Sequence, residues 1–232
     1  MEERSQAYEE LRVGFTAAVS HELRTPLARL LALLETAALP GADREELIAR
    51  ARAEVEEMSG LVDEILFLSE LEDDRFEARG RTLLAGVVAE ALSKLRDRAD
   101  IADVELRADV EPGLELAVRR RLAEALVENL AENAVRHAGP GAVFTLRAVR
   151  VGDRLVLSGI DTGRGVPRSE LPRLFERFYR GDGVRSSRGG GLGLAIVKHI
   201  VMAAGGTVEA AAEGSGGLTV RCTFPAPAVT TL

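Results

Sequence analysis

Between Ser20 and Leu27 the chain reads Ser-His-Glu-Leu-Arg-Thr-Pro-Leu. This sets an imidazole beside a carboxylate and, four residues on, a hydroxyl. Phe15, Val19, Leu23, Leu27, Leu30 and Leu34 recur at spacings of three and four and predict one apolar helix face. With Phe15 at zero and about 100° per residue, that face centres near about 70°, while His21 falls near about 240° and Thr25 near about 280°. His21 and Thr25 therefore share the solvent side, with Glu22 adjacent. A neutral imidazole is a nucleophile near neutral pH, and a neighbouring carboxylate can take the proton it sheds. Pro26 removes one intrahelical bond and predicts a kink just past the histidine. Read alone, an exposed histidine is most often an ordinary solvated side chain.

A second constellation is Glu128-Asn129-Leu130-Ala131-Glu132-Asn133-Ala134. Leu122, Leu126 and Leu130 define an apolar stripe, and Asn133 falls inside it, with Asn129 one turn earlier. A buried amide without partners costs about 1–3 kcal/mol, so something polar must meet it. A hard cation suits an amide oxygen, and nearby backbone groups are the alternative. Arg136 and His137 continue this face.

Three further runs carry chemistry only in combination. Asp161-Thr162-Gly163-Arg164-Gly165 puts a carboxylate at a strand end before two glycines, which allow close approach of a flat ligand or simply make a turn. Leu174-Phe175-Glu176-Arg177-Phe178-Tyr179-Arg180 could anchor a cationic lid, with Arg185 and Arg188 beyond it, or could be a solubilising loop. Gly189-Gly190-Gly191-Leu192-Gly193-Leu194 opens a helix whose free amides attract phosphate. A dinucleotide fold is excluded for that run, because no following unit supplies an acidic residue for a ribose. It also lacks the Lys-Ser/Thr ending of a P-loop.

The elements that must position these residues fall into two parts. Residues 1–76 predict a helical hairpin: the first stripe is broken at Pro40-Gly41, Asp43 is placed to cap the next helix, and Ala51, Val55, Met58, Val62 and Ile65 form a second stripe. Two such helices bury little alone, so a second copy completing a dimeric four-helix bundle is expected. Glu70–Arg81 reads as a charged linker. Residues 77–232 predict helices over Leu83–Arg98, Arg120–Ala138 and Leu192–Ala204. Strands are expected over Val104–Val110, Leu114–Val118, Ala142–Val151, Arg154–Ile160, Thr207–Glu213 and Leu218–Phe224, giving a mixed sheet with helices on one face.

The 232 residues are 46% hydrophobic and 29% charged, enough apolar material for a core. One cysteine, Cys222, excludes a disulfide framework and a cysteine zinc site. No apolar run approaches the roughly 18 residues of a membrane span, and Met1–Arg12 is too acidic and polar for a secretory leader. Residues 1–76 carry 18 acids against 8 bases, net −10, and residues 77–232 carry 19 acids against 22 bases, net +3. The acidic first part argues against nucleic-acid binding, and the second could accept an anion.

The His21 segment resembles the H box of two-component sensor histidine kinases. The later runs are similar, in the family's order, to its N box, first glycine box, F box and last glycine box. The resemblance spans about Phe15 to Phe224. It implies an α+β multidomain fold, with the hairpin followed by an α/β sandwich of the Bergerat type shared with gyrase, mismatch-repair ATPases and the large heat-shock chaperone. It also implies that His21 accepts phosphate from ATP with Glu22 as acid/base partner, and that Thr25 positions water for dephosphorylation of the partner. Asn133 would hold Mg²⁺. The nucleotide would be bound by Asn129, Arg136, His137, Asp161, Gly163, Gly165, Arg177, Arg180, Gly189, Gly191, Leu192, Gly193 and Leu194. The implied partners are a second copy and the receiver domain of a response regulator, whose Asp takes the phosphate. No membrane contact is expected from this cytoplasmic fragment of a membrane-anchored parent. The related ATPases carry a water-activating Glu at the position of Asn129, and an amide is no base at neutral pH, so background ATP hydrolysis is expected to be slow. Arg119, Arg120 and Arg121 stand where an acidic residue is common, Gly190 replaces a frequent Thr, and His137 replaces a frequent aromatic residue.

Overall fold

The computed structural model describes residues 2–72, 77–181, 190–212 and 216–225, with side chains described from residue 16 onward. Packing divides the chain into two units, Met1–Leu66 and Phe67–Leu232. This division lies ahead of the 76/77 boundary expected from the sequence. The reason is that Leu68 and Leu71 are buried and cluster with the second unit.

The first unit is the hairpin of α1 (Glu2–Ala37) and most of α2 (Arg44–Leu71). Helix α1 runs on through Pro26. Asp43 caps α2 as its residue type predicts: its Oδ1 accepts the Glu46 amide at 3.1 Å. Ala51 and Leu61 are buried within the single chain. Leu27, Leu34, Val55 and Val62, also members of the two sequence stripes, stay 50%, 54%, 51% and 40% exposed. Leu31, Ile48 and Leu66 are exposed with them.

The second unit continues with β1 (Thr82–Leu83), α3 (Leu84–Ala102), β2 (Val104–Val110), β3 (Glu115–Leu116), α4 (Arg120–His137), β4 (Ala142–Val151), β5 (Arg154–Asp161), a 3₁₀ turn (Leu171–Arg173), α5 (Gly193–Ala203), β6 (Thr207–Ala212) and β7 (Leu218–Pro225). Strands β2-β4-β5-β7-β6 form one sheet, in which only the β2–β4 pair is parallel. The parallel pair follows from the crossover through α4. The expected strand Leu114–Val118 is only two residues long and pairs with β1 outside the main sheet. Alternation explains the faces: on β4, Ala142, Phe144, Leu146 and Ala148 are buried while Arg147 is exposed. Helix α4 contacts both α3 and α5, and its buried side is Leu122, Ala123, Leu126, Val127, Leu130, Ala131, Ala134 and Val135.

The start of α4 explains its unusual arginines. No side chain caps the helix at Arg119. Instead Arg119 pairs with Glu77, Arg120 with Glu90 and Glu124, and Arg121 with Glu70. Arg121 also lies 4.9 Å over the Phe67 ring. The trio thus ties α4 to α3 and to the last turns of α2.

Leu157 is fully buried on β5, between Ala148 of β4 and Cys222 of β7. Leu157→Ala should lower unfolding stability by about 3 kcal/mol, because the rigid sheet cannot collapse into the space. Urea denaturation followed by circular dichroism measures this; a loss below about 1 kcal/mol would contradict the packing described.

Candidate functional site

Helix α4 brings the two asparagines to one side. The Nδ2 of Asn129 donates to the Ala125 carbonyl at 2.7 Å. Its Oδ1 lies 2.7 Å from where a Cβ on Gly193 would sit, so a side chain there would have to displace the Asn129 amide from its bond to Ala125. Asn133 is half-buried at the edge of the apolar stripe. Among the described residues no hydrogen bond engages its amide. Glu128 and Glu132, the carboxylates nearest in sequence, are held by α3. Glu128 accepts Lys94 at 3.0 Å, and Glu132 accepts Arg98 at 2.8 Å and Arg136 at 3.0 Å. Neither is left as a free base beside the asparagines.

His137 ends α4 with its Nδ1 buried and without a hydrogen-bond partner. Burial, and then the positive charges of Arg136, Arg164 and Arg180, push its pKa down to about 4. Three cations around an unsatisfied ring nitrogen make this an environment in want of an anion. Arg164 is a contributor that the sequence reading passed over. It stands between the two glycines of the Asp161 run, and only the fold brings its charge to His137.

Asp161 is 7% exposed at the end of β5, where burial raises its carboxyl pKa. Backbone donors from Gly163 and Leu218 oppose that shift, the Gly163 amide reaching Oδ1 at 2.9 Å. A Cβ on Gly163 would lie 2.3 Å from the Ala138 carbonyl oxygen. Its glycine thus serves the approach of two backbones, fixing Asp161 against the end of α4. Gly165 stands likewise against Gly217. A cleft lined by residues 138–142 and 162–164 adjoins this contact.

The F-box and last-glycine segments are paired. The Phe178 amide donates to the Gly191 carbonyl at 3.0 Å, and Gly191 has a φ of +67°. Leu192 and Leu194 bury their side chains, so only their backbones can face a ligand. No side chain caps α5 at Leu192, which leaves its first amides open to an anion. Arg180 adds charge at His137, whereas Arg177 pairs with Glu72. Gly189, Arg185 and Arg188 lie outside the described residues.

In the first unit, His21 and Thr25 are exposed on α1 and Glu22 is half-buried. The Thr25 hydroxyl reaches back to the His21 carbonyl at 3.5 Å, one turn away.

The chain matches two family models in the order that these features require. Residues 11–74 match the His Kinase A (phospho-acceptor) domain. Residues 117–228 match the histidine kinase-, DNA gyrase B- and HSP90-like ATPase family. The chain belongs to the histidine kinase family. The sensor-like histidine kinase SenX3 of Mycobacterium tuberculosis is 34% identical over 225 residues, covering 94% of this chain and 55% of that protein. The sensor protein IrlS of Burkholderia pseudomallei is 32% identical over 219 residues, covering 92% and 47%. The chain thus spans about half the length of these curated relatives. Among solved structures, the Acinetobacter baumannii histidine kinase AdeS superposes with a TM-score of 0.73 at 26% identity, covering 88% of this chain and 97% of that one. The histidine kinase ThkA, solved in complex with response regulator TrrA, shares the fold, with a TM-score of 0.77 at 18% identity, covering 97% and 66%.

Titration of His137 bears on stability. Folding lowers its pKa from 6.5 to about 4, so between those values the unfolded chain binds the extra proton and stability falls as pH drops. From pH 7 to pH 5 this one group should remove about 2 kcal/mol. His199, also lowered by burial, acts in the same direction. Chemical denaturation at pH 7 and pH 5 should show a smaller loss for His137→Gln than for the wild type; equal losses would contradict the site's electrostatics.

Proposed function

We propose that this chain is the kinase core of a two-component sensor, which phosphorylates His21 from Mg-ATP and passes the group to an aspartate of a response regulator. The observation that carries this reading is the buried, bare Nδ1 of His137 set among Arg136, Arg164 and Arg180, one turn along α4 from the half-buried Asn133. A polyanion answers the charge, and its cation suits the amide oxygen. Adenine would be read by the buried carboxylate of Asp161, and the phosphates by Arg136, His137, Arg180 and the open amides at Gly191, Leu192, Gly193 and Leu194. The described residues hold no cluster of His, Cys, Asp or Glu fit for a metal. Mg²⁺ would therefore be held by the Asn133 oxygen together with the nucleotide's own phosphates, where it neutralises charge.

In the transfer, one His21 ring nitrogen forms a bond to the γ-phosphorus as the bond to the β-phosphate oxygen breaks and ADP leaves. Glu22 takes the proton from the other ring nitrogen. The phosphoryl group then moves to the regulator's aspartate, and Thr25 orients the water that later removes it. With an amide at Asn129, and with Glu128 and Glu132 tied to α3 cations, neither carboxylate of this stretch of α4 is free to activate water, so ATP persists until His21 attacks. The exposed Leu27, Leu34, Val55 and Val62 belong to stripes that read as core, which supports a second copy closing a four-helix bundle. No helix among the described residues is long and apolar enough to cross a membrane. We read the chain as the cytoplasmic part of a membrane-anchored sensor.

Incubation with γ-labelled ATP and Mg²⁺ should give an acid-labile label on the wild-type chain and none on His21→Gln. Label that survives in His21→Gln would sink the assignment of the acceptor. Phosphate release without His21 should stay far slower than labelling.

A further inference from the structure

Three hydrogen bonds pin the turn after β5 to the turn after α4. The Arg164 amide donates to the Ala138 carbonyl at 3.0 Å, the Thr162 amide donates to the Val143 carbonyl at 3.1 Å, and the Val143 amide donates to the Thr162 hydroxyl at 2.9 Å. The backbone of Arg164 is held, but its side chain is not. Among the described residues no hydrogen bond or ion pair engages the Arg164 guanidinium. Arg136, the residue before His137, is by contrast taken by Glu132 at 3.0 Å. The Arg164 Nη2 and Nε lie 3.7 and 3.9 Å from where a Cβ on Gly139 would sit, so the guanidinium lies over the turn between α4 and β4. Its charge reaches the end of α4, where it helps to lower the pKa of His137. Arg164 also lines the cleft between residues 138–142 and 162–164, whose volume of about 480 Å³ suits a small ligand. The other described lining residues are alanines, glycines, a proline and Thr162, so Arg164 supplies the charge and the one planar side chain of that lining.

This guanidinium stands at the Asp161 end of the candidate site. Asp161 is three residues earlier on the same turn, with its Oδ1 on the Gly163 amide, whereas Asn133 lies a turn of α4 back from His137. A carboxylate reads the edge of a flat base and leaves its faces uncovered. A guanidinium is planar, is weakly hydrated and stacks on aromatic faces, and an unpaired one gives up no ion pair to do so. We propose that Arg164 stacks on the nucleobase, covering an open face of the ring whose edge Asp161 reads. The pinned turn holds Cα of Arg164 in place beforehand, so only the side chain orders when the base arrives. The inference rests on the reading of Asp161 as the adenine contact.

The test is calorimetric titration of the 232-residue chain with Mg²⁺ and the non-hydrolysable analogue AMPPNP. Arg164→Ala should bind about threefold to tenfold more weakly, the range of a cation over an aromatic face. Arg164→Tyr keeps a plane without the charge and should bind within about twofold of the wild type. Arg164→Lys keeps the charge without the plane and should stay close to Arg164→Ala. Each variant should melt with the wild type, since the guanidinium holds no partner. The chain has no tryptophan, so Arg164→Trp gives a single indole at the contact. Its fluorescence should be quenched by AMPPNP and not by inorganic tripolyphosphate. Recovery by Arg164→Lys and not by Arg164→Tyr places the side chain on the phosphates and overturns the inference. Wild-type affinity in Arg164→Ala overturns it too, as does an indole that saturating AMPPNP leaves unquenched. Asp161→Asn is the control for the site itself. Binding that Asp161→Asn abolishes and Arg164→Ala leaves intact overturns the role of Arg164 alone, and no binding by the wild type overturns both readings.

Discussion

The first residue of α5 meets Asn129 of α4 at a distance that leaves no room for a side chain on Gly193. That contact sets where two helices begin and end relative to each other. It brings the uncapped amides of α5 beside the asparagine face of α4. A methyl group there would collide with the Asn129 oxygen, and that amide is already held to Ala125. The same economy recurs at Gly163, whose bare Cα lets the Asp161 turn rest on Ala138. Glycines at close contacts, one against the Asn129 side chain and one against the Ala138 backbone, therefore build the frame of the candidate site.

On that frame the electrostatics are arranged by difference. Acidic side chains of α4 that face α3 are matched by Lys94 and Arg98, while the cations toward His137 meet a ring nitrogen that has no partner. Partly exposed ion pairs contribute little to stability, so their value here is in orientation. They hold Glu128 and Glu132 to α3 and leave neither as a free base beside the asparagines. The net charge of +3 over residues 77–232 understates the effect, because the excess is gathered at one helix end.

The hairpin shows the complementary case. Its stripes are regular enough to be read as core, yet half of the surface of Leu27, Leu34 and Val55 remains exposed in one chain. Two helices cannot bury both flanks of such stripes, and a bundle of four can. His21 and Thr25 are exposed on the same helix, away from these stripes.

Much of this protein was legible from residue order. Apolar periodicity gave the hairpin, α3, α4, α5 and the strands of the main sheet, and the cap at Asp43 followed from its residue type. The five chemical runs were visible because each needs particular residues at short, fixed spacing. What escaped the sequence was long-range. The segment at Leu114–Val118 alternates like a strand, but only Glu115–Leu116 finds a partner. Leu68 and Leu71 fall inside the first part expected from the sequence, residues 1–76, yet cluster with the second unit. Arg164 had no role in the Asp161 run until the fold set its charge beside His137, and Arg177, expected at the nucleotide, pairs with Glu72. The sequence by itself determined the family, the element types and the residues able to do the chemistry, since these depend on side-chain type and local period. Tertiary structure alone decided which charges meet and which nitrogen is left bare, because those depend on backbones brought together across many residues of chain.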